Sequence, residues 1–516
     1  MAKPCEKIHA STWITLAILG STILITMYGE TMLLPAIGQI IKDFEISYST
    51  SSWILTAYLI SGAVMTPIAG KLSDIYGKKK MVLIIFMIYI LGISLGGLST
   101  NIYVLLTARV IQGMGISMFP IAFGIIRDQF PVQKLAISVG IFSSMFAAGS
   151  VVGIAIGGSI IKNFGWQSTF FTTMPIAIVL WIIIRKFVQN NGGAKAEEER
   201  NGGAEFSQNM DSVSKIRNTS EPQKIASNKK HDIDLKGTIT LAITITSFLL
   251  TLTYFANINN DVNTDLIDPS YTFIALVSLA ALTIGSSILF IVIEMKEPIP
   301  LIPLKLITNK ILLPTNIILL IFGITMFMVY QTIPILVTSP PPLGFGGDAI
   351  TSANIQLPFM IVFLVFAPSS GFIVSKIGNF IPVVVGSIIT TIGFFILFVF
   401  HSTESMISIN LVMISAGLSL INVGAFNIVL QYTPNKFSGV SVGISVVIVL
   451  IGSSIGPVIA SIFMQTFQES INDRGEGSYP SLLSYNLIFL TATLVSTISI
   501  ASGILLKKRT NQLMLK

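Results

Sequence analysis

The sequence predicts an all-α integral membrane protein. Of its 516 residues 52% are apolar and only 11% are charged, so the chain carries more apolar surface than a soluble fold of this length can bury. The apolar runs are about 20 residues long, which suits transmembrane helices, whereas barrel strands would need about 10. A lipid bilayer is therefore the expected surrounding of the chain.

Apolar runs of spanning length occur six times before a polar interval and eight times after it. The first six lie at 12–35, 52–70, 81–99, 102–125, 135–161 and 167–187. The other eight lie at 236–256, 271–293, 311–338, 348–375, 380–400, 405–430, 438–466 and 484–506. The interval 189–235 has two Gly-Gly pairs and few large apolar residues. The sequence therefore predicts fourteen spans and a flexible linker.

The Lys and Arg residues predict the orientation. If the N-terminus is cytoplasmic, 27 of these 31 residues fall in cytoplasmic segments, and three (Lys42, Lys162 and Arg474) fall outside. The last one, Arg109, lies inside a span. We expect a multi-pass protein of the cell membrane with both termini in the cytoplasm, whose first run, from about Trp13, is a helix rather than a signal peptide. This distribution accounts for the net charge of +7, so no nucleic-acid partner is expected.

Two patterns recur along the chain at nearly the same spacing. Segment 70–77 resembles 371–378 at an offset of 301, and the small residues repeated within 149–157 recur in 452–460 at an offset of 303. Two independent matches indicate a duplication. The predicted domains are an N-terminal six-helix bundle (1–188), the cytoplasmic linker (189–235), two inserted transmembrane helices (236–295) and a C-terminal six-helix bundle (296–516). Transporters built from repeats carry their site near the midplane, between the halves.

Three motifs carry a family resemblance that covers nearly the whole chain. The pattern G-x-L-x-D-x-x-G-x-K at 70–79 resembles the loop between helices 2 and 3 of the major facilitator superfamily, and L-x-x-x-R-x-x-Q-G at 105–113 resembles its helix 4 motif. Segment 53–59 resembles helix 2 of the fourteen-span drug:proton antiporters of the EmrB/QacA type. The resemblance implies the major facilitator fold, with two six-helix bundles plus two inserted helices.

The loop at 70–80 is the predicted cytoplasmic gate. Its glycines allow helix ends to approach closely, and its charges can pair with carbonyls, acidic groups or a helix N-terminus of the other half. The lysines could instead serve only to set topology. Because the second copy has Ser375 where the first has Asp74, we expect the N-terminal half to contribute most of the charged contacts. The predicted gate residues are Gly70, Asp74, Gly77, Lys78 and Lys79.

Arg109 and Glu30 are the candidate proton-coupling residues. A charge inside a span costs at least roughly 2.5–3.5 kcal/mol and faces a cavity or a partner. The resemblance implies a coupling role for Arg109, although an arginine there could also hold helices together through carbonyls. Glu30 can exchange a proton and attract a cation, or pair structurally with Arg109. At an offset of 301 Glu30 falls on Gln331, which predicts a polar position facing the cavity from both halves.

Aromatic residues near these positions could offer faces to a lipophilic cation, although aromatics are also ordinary packing residues. The candidates are Tyr28 and Tyr58.

Glycines at four-residue spacing on helix 5 predict close helix packing. They resemble the antiporter motif of the family, but Ile154 stands where the motif has proline, which the equivalent helix 13 supplies. Generic packing is the alternative interpretation. The predicted packing residues are Gly149, Gly153, Gly157, Gly158, Gly452, Gly456 and Pro457.

The predicted function is secondary active transport: proton-coupled efflux of lipophilic or cationic drugs by alternating access. The sequence has no ATP-binding loop. Its three His and one Cys form no metal-ligand or catalytic cluster, so we do not expect an enzyme, a cofactor or a metal site. The expected partners are a small-molecule substrate, protons and the bilayer, with the chain acting as a monomer. The alternatives are a proton-coupled transporter of a specific metabolite (an amino acid, a sugar or a siderophore) and a non-transporting membrane sensor.

Overall fold

The structure is a computed structural model that describes most of the chain. It covers residues 10–33, 36, 40, 43–46, 48–188, 235–261, 269–297, 306, 308–347, 349–434, 437–470 and 478–514. Nearly all of the predicted linker lies outside these residues; only its last residue, Leu235, is described, and it begins a helix.

Long helices make up almost all of the described part. In chain order they are α1 (Ala10–Thr31), α2 (Tyr48–Tyr76), α3 (Lys78–Gly97), α4 (Ile102–Gln129, with a 3-10 turn at Met114–Ser117), α5 (Val132–Phe164), α6 (Gln167–Phe187), α7 (Leu235–Asp261), α8 (Pro269–Lys296), α9 (Leu312–Thr338), α10 (Ala349–Ile377), α11 (Phe380–Val399), α12 (Glu404–Tyr432), α13 (Ser438–Thr466) and α14 (Leu482–Met514). A two-stranded hairpin, β1 (Gln468–Ser470) and β2 (Ser478–Pro480), lies between α13 and α14 and was not predicted.

Twelve helices of the described part are long and apolar enough to cross a membrane. The apolar part of α7 is shorter, at Lys236–Leu252, and α2 has 29 residues but is not among the twelve. The multi-pass, all-helical prediction is therefore confirmed, whereas the count of fourteen spans stays a prediction.

Several predicted ends differ from the structure by a few residues, and two of these differences concern the candidate site. The first span was predicted to reach residue 35, but α1 ends at Thr31. The gate was predicted to be a loop from 70 to 80, but α2 continues to Tyr76 and the chain breaks only at Gly77, where φ is 96°. Gly378 repeats this break with φ of 84°. Both breaks need glycine because other residues rarely adopt positive φ.

The helices pack as two groups with an insertion. One buried cluster is formed mainly by α1 to α6, which we call the N-terminal half, and a second mainly by α9 to α14, the C-terminal half. Within the halves, α5 packs on α1 and α13 packs on α9. This arrangement agrees with the predicted repeat, and the domain limits at 188, 235 and 295 stay predictions.

The halves meet along two seams. In the α2–α13 seam, a Cβ on Gly70 would lie 2.7 Å from the carbonyl oxygen of Gly439. In the α5–α10 seam, a Cβ on Gly371 would lie 2.4 Å from the carbonyl oxygen of Ala136. Gly70 and Gly371 are 301 residues apart, and their partners are 303 apart. The backbone contacts therefore repeat at the offsets of the sequence repeat.

Both glycine contacts lie at the end of the molecule that carries 70–80, which we call the inner end. There Phe123 of α4 also stacks on Phe426 of α12, with ring centres 5.0 Å apart. The two halves are thus in contact at the inner end.

The inserted helices cover one seam. Helix α7 packs on both α2 and α13, and α8 packs on α7. Apolar residues of α2, α7 and α13 contribute to one buried cluster, which includes Ala63, Ile245 and Val447. The α2–α13 seam is therefore shielded along its outer face by α7.

Candidate functional site

Arg109 holds the end of α1. Its Nη1 donates to the carbonyl of Gly29 (2.8 Å) and its Nη2 to the carbonyl of Glu30 (3.2 Å), while Nε donates to the carbonyl of Ile54 on α2 (3.1 Å). The carbonyls in the last turn of a helix have no partner within that helix. A buried guanidinium satisfies them here, and α1 ends one residue later, at Thr31.

The remaining contacts of Arg109 lie within the N-terminal half. Nη1 also donates to Oε1 of Gln112 (2.8 Å), and the guanidinium carbon lies 4.9 Å from the ring centre of Tyr58. Within the described residues the recorded ion pair is Lys78 with Asp128, so Arg109 contacts the backbone of Glu30 rather than its carboxylate. This geometry agrees with the helix-holding alternative, and the coupling role of Arg109 stays a prediction.

Two tyrosines hold the preceding turn of α1. The hydroxyl of Tyr58 donates to the carbonyl of Thr26 (3.0 Å), and that of Tyr89 donates to the carbonyl of Ile25 (2.9 Å). The prediction that Tyr58 offers an aromatic face to a cavity was wrong: the side chain is fully buried and its ring faces Arg109. A buried tyrosine needs a partner for its hydroxyl, and the carbonyls of Thr26 and Ile25 accept these bonds in addition to their place inside α1.

Sequence reasoning missed Tyr89 and Gly29. A Cβ on Gly29 would lie 2.4 Å from the hydroxyl oxygen of Tyr89 and 3.0 Å from Nε2 of Gln112. Glycine therefore lets α3 and α4 approach α1 closely. The available signal was a tyrosine in an otherwise apolar span.

Glu30 lies where the halves face each other. Its side chain is partly exposed, and it is close enough to Tyr330 of α9 for the two to interact electrostatically. It interacts in the same way with Arg109. Tyr28, one turn from Thr31, is buried. The structure thus brings Glu30 and Tyr330 together across the halves.

Gln331 does not occupy the position equivalent to Glu30. On α5, a Cβ on Gly149 would lie 2.3 Å from the carbonyl oxygen of Leu24; on α13, a Cβ on Gly452 would lie 2.4 Å from that of Leu320. These contacts relate α1 to α9 by 296 residues rather than 301. The predicted correspondence was wrong because it used the offset of the loop repeat. The packing of α1 on α5 and of α9 on α13 follows a different offset.

By this register Met326 is the counterpart of Glu30. Met326 lines a small, mostly apolar cavity in the C-terminal half together with Tyr330 and Gln356. The side chain of Gln331 is exposed. Its place in the transport cavity stays a prediction.

The glycines of the helix 5 motif pack within the N-terminal half. A Cβ on Gly153 would lie 2.1 Å from Oγ1 of Thr31, and one on Gly157 would lie 2.9 Å from the carbonyl oxygen of Met32. On α13, Gly456 lies in the same way against Ile324 of α9. Pro457 follows inside α13, and the surroundings of Gly158 fall outside the described residues. These glycines allow close packing, and their role in antiport stays a prediction.

Charged residues of the N-terminal half contact one segment of the C-terminal half. Asp74 Oδ2 accepts from the backbone N–H of Val440 (3.3 Å), in the first turn of α13. Lys78 Nζ donates to Oγ of Ser438 (3.3 Å), and Arg127 Nη2 donates to the carbonyl of Thr433. We call these three residues the charged latch; a carboxylate at a helix N-terminus is a favourable pairing.

The latch is braced inside the N-terminal half. Lys78 Nζ lies 2.7 Å from Oδ2 of Asp128 and 3.2 Å from the carbonyl oxygen of Gly124, and Lys79 follows it in α3. Asp74 lies beyond the predicted span 52–70. Burial raises the pKa of its carboxyl group to about 6, against the opposing effect of Lys78 and the N–H groups of α13.

The sequence model described as Major Facilitator Superfamily matches residues 19–457. This match covers most of the chain, from α1 into α13, and includes the latch. The chain belongs to the Major Facilitator Superfamily. Within the described residues no group of three or more His, Cys, Asp or Glu could hold a metal ion.

Two relatives of this chain have names that refer to drug transport or resistance. The Multidrug transporter protein MdtP of Bacillus subtilis (strain 168) is 26% identical over 363 residues, which are 70% of this chain and 58% of that protein, so the match spans less than two thirds of its length. The Tetracenomycin C resistance and export protein of Streptomyces glaucescens is 22% identical over 467 residues, 89% of this chain and 77% of that protein.

A solved structure supports the fold. The crystal structure of the human organic anion transporter MFSD10 (TETRAN) superposes with a TM-score of 0.63 over 96% of this chain and 99% of that chain, at 12% identity. At this identity the likeness concerns the fold alone.

Proposed function

We propose that this chain is a fourteen-span, proton-coupled exporter of lipophilic cations that acts as a monomer in the cell membrane, with both termini in the cytoplasm. The observation that carries the proposal is the position of Glu30: a partly exposed carboxyl group in the last turn of α1, beside the buried guanidinium of Arg109. The names of the two bacterial relatives support drug export.

The geometry around Glu30 suits exchange at one carboxyl group. Arg109 donates to the backbone carbonyl of Glu30, and within the described residues no ion pair joins Arg109 to the carboxylate of Glu30. A carboxylate in this place attracts a cation, and a protonated carboxyl does not, so proton and substrate compete for it. Aromatic and thioether groups such as Tyr330 and Met326 favour substrates with apolar or aromatic parts.

The charged latch and the two glycine contacts form the proposed inner gate. All of them join the halves at the predicted cytoplasmic end, so the substrate path is closed there. Export requires these contacts to separate, so that the substrate can enter from the cytoplasm, and to form again after it has bound. The gate residues named from the sequence, Gly70, Asp74, Gly77, Lys78 and Lys79, take this role in the proposal.

The test is transport in proteoliposomes with an imposed proton gradient and a panel of lipophilic cations, amino acids and sugars. We expect concentrative transport of lipophilic cations that stops when the gradient is dissipated. Glu30→Gln should abolish gradient-driven transport because the amide cannot take up a proton. Glu404→Gln, the same change at an exposed site on α12, is the matched control and should transport normally. Concentrative transport by Glu30→Gln at the wild-type rate would remove Glu30 from the mechanism.

A further inference from the structure

Three amide side chains form a chain of hydrogen bonds at the inner end of the C-terminal half. Asn427 Nδ2 on α12 donates to Oδ1 of Asn379, and Asn379 Nδ2 donates to Oε1 of Gln431, each at 2.6 Å. Asn379 and Asn427 are buried. We call these three residues the amide triad. It ties the residue before α11 to the last turns of α12.

The triad occupies the positions that brace the latch in the first copy of the repeat. Asn379 lies 301 residues after Lys78, the same offset as the loop repeat. Gln431 lies 303 residues after Asp128, the offset of the second pattern. The hydrogen bond from Asn379 to Gln431 is therefore the equivalent, in the C-terminal half, of the ion pair between Lys78 and Asp128.

The third member follows the same rule. Asn427 lies 303 residues after Gly124, whose carbonyl accepts from Lys78 at 3.2 Å. An amide side chain thus replaces a backbone acceptor. The C-terminal copy has the same three contact positions as the N-terminal copy, with no charge on any of them.

Asn379 does not use its side chain in the usual way. It precedes the first residue of α11, where an asparagine oxygen commonly accepts from the N–H groups of the same helix. Here no such cap is made, and the side chain is directed to α12 instead. Asn379 therefore bonds to α12 instead of capping its own helix.

The two copies also differ in whether their side chains contact the other half. Lys78 donates across the seam to Ser438, whereas the position 303 residues before Ser438 is Leu135, a buried apolar residue with no side-chain acceptor. The triad bonds stay within the C-terminal half. One copy therefore links the halves, and the other links two helices of one half.

We propose that Asn379, Asn427 and Gln431 are positioning residues that keep the inner end of the C-terminal half in one shape, as a fixed face against which the charged latch closes. This inference rests on the proposed gate. Neutral amide bonds are not screened by salt, whereas a partly exposed ion pair such as Lys78 with Asp128 is weakened by it. When a buried hydrogen bond between two amide side chains breaks, the polar groups that it joined are left unsatisfied. The triad therefore resists separation of α11 from α12.

The experiment is hydrogen exchange of the full chain in nanodiscs at about 0.1 M and about 1 M salt. In the wild type we expect high salt to speed exchange several-fold at the start of α3 and to leave the start of α11 nearly unchanged. The double variant Asn379→Lys with Gln431→Asp places an ion pair in the second copy. It should make exchange at the start of α11 depend on salt, and make the transport rate more dependent on salt.

A second variant tests the bonds themselves. Asn379→Leu should speed exchange at the start of α11 by about five- to tenfold at both salt concentrations. Asn410→Leu is the control, because Asn410 is a buried amide of the same α12 that donates to the carbonyl of Phe400 at the opposite end (2.7 Å). It should leave exchange at the start of α11 unchanged.

Two results would overturn the inference: equal salt effects on the two regions of the wild type, or wild-type exchange at the start of α11 in Asn379→Leu. Hydrogen exchange is measured without transport. A failure of the proposed drug transport would therefore appear in the liposome assay alone, and a failure of the triad would appear in the exchange data.

Discussion

The two seams between the halves share their backbone geometry and differ in their charges. In each, a glycine near the inner end brings two helix backbones together: Gly70 in the α2–α13 seam and Gly371 in the α5–α10 seam. In the first, Asp74 reaches the N–H of Val440 across the seam. In the second, Ser375 takes the place of Asp74 and donates to Phe372 of its own helix (2.7 Å).

This difference separates two parts of the proposed inner gate: the backbone contacts that both seams share and the charged contacts of the α2–α13 seam. Backbone approach is common to both seams, so it is the part of the geometry that the duplicated fold requires. Among the described residues, the charged latch contacts that cross between the halves come from the N-terminal copy. The α2–α13 seam, which α7 also covers, is therefore the seam where pH and salt should act.

The largest expected effect comes from filling the glycine contacts, which would remove the feature that the seams share. Gly70→Ala and Gly371→Ala each place a Cβ within 2.7 Å of a carbonyl oxygen. Such overpacking costs about 1–3 kcal/mol, so the closed inner end should lose population by roughly fivefold or more. Spin labels at exposed Lys186 and Lys508, on α6 and α14, measure the separation of the halves.

Gly285→Ala is the control for this measurement, because a Cβ there would meet nothing within 4 Å. If only Gly70→Ala opens the inner end, the seams are not equivalent and the comparison fails.

The next effect is a dependence on pH that belongs to one seam. An exposed aspartate has a pKa of roughly 4, whereas burial raises the pKa of Asp74 to about 6 in the closed inner end. The closed form therefore binds the proton more tightly, because the desolvation of the ionised carboxylate outweighs its contacts with Lys78 and the N–H groups of α13. Closure is favoured as pH falls below about 6, and this contribution is lost as pH rises through 6. Between pH 7 and pH 5 the ratio of closed to open should rise by up to about tenfold.

This titration is measured with the same spin labels in the Glu30→Gln background, so that Glu30 does not contribute. Lys78 and Asp128 are the charged groups that act on Asp74. Asp74→Asn should remove the pH dependence, and Ser375→Ala should leave it intact. A pH response that survives in Asp74→Asn would contradict the assignment to this seam.

The smallest effect is expected from the ion pair that braces the latch. Lys78 and Asp128 have side chains that are 16% and 44% exposed, so the pair should contribute less than about 1 kcal/mol. Lys78→Met should lower the closed population by about two- to fivefold and reduce its dependence on salt. Lys376→Met, in the second copy, should change neither, since Lys376 lies over the ring of Phe372 in its own helix. Equal effects of the two changes would mean that the latch is not one-sided.

The sequence by itself determined the class of the protein, the approximate helices and the repeat. Helix formation in a bilayer depends on the length of each apolar run, which is local information. The positive φ at Gly77 and at Gly378 likewise follows from residues that few others could replace. Arg109 was recognised as unusual because a charge inside an apolar span is costly wherever its partner lies.

Only the tertiary structure decided which groups meet. The end of α1 at Thr31, the carbonyl contacts of Arg109 and the burial of Tyr58 depend on how α1 to α4 are rotated against one another. That Met326, rather than Gln331, is the position equivalent to Glu30 depends on the register in which α1 and α9 pack against α5 and α13. The reason is physical: apolar periodicity defines which face of a helix is buried, but the depth and rotation at which two buried faces interlock are set by the side chains of both helices together.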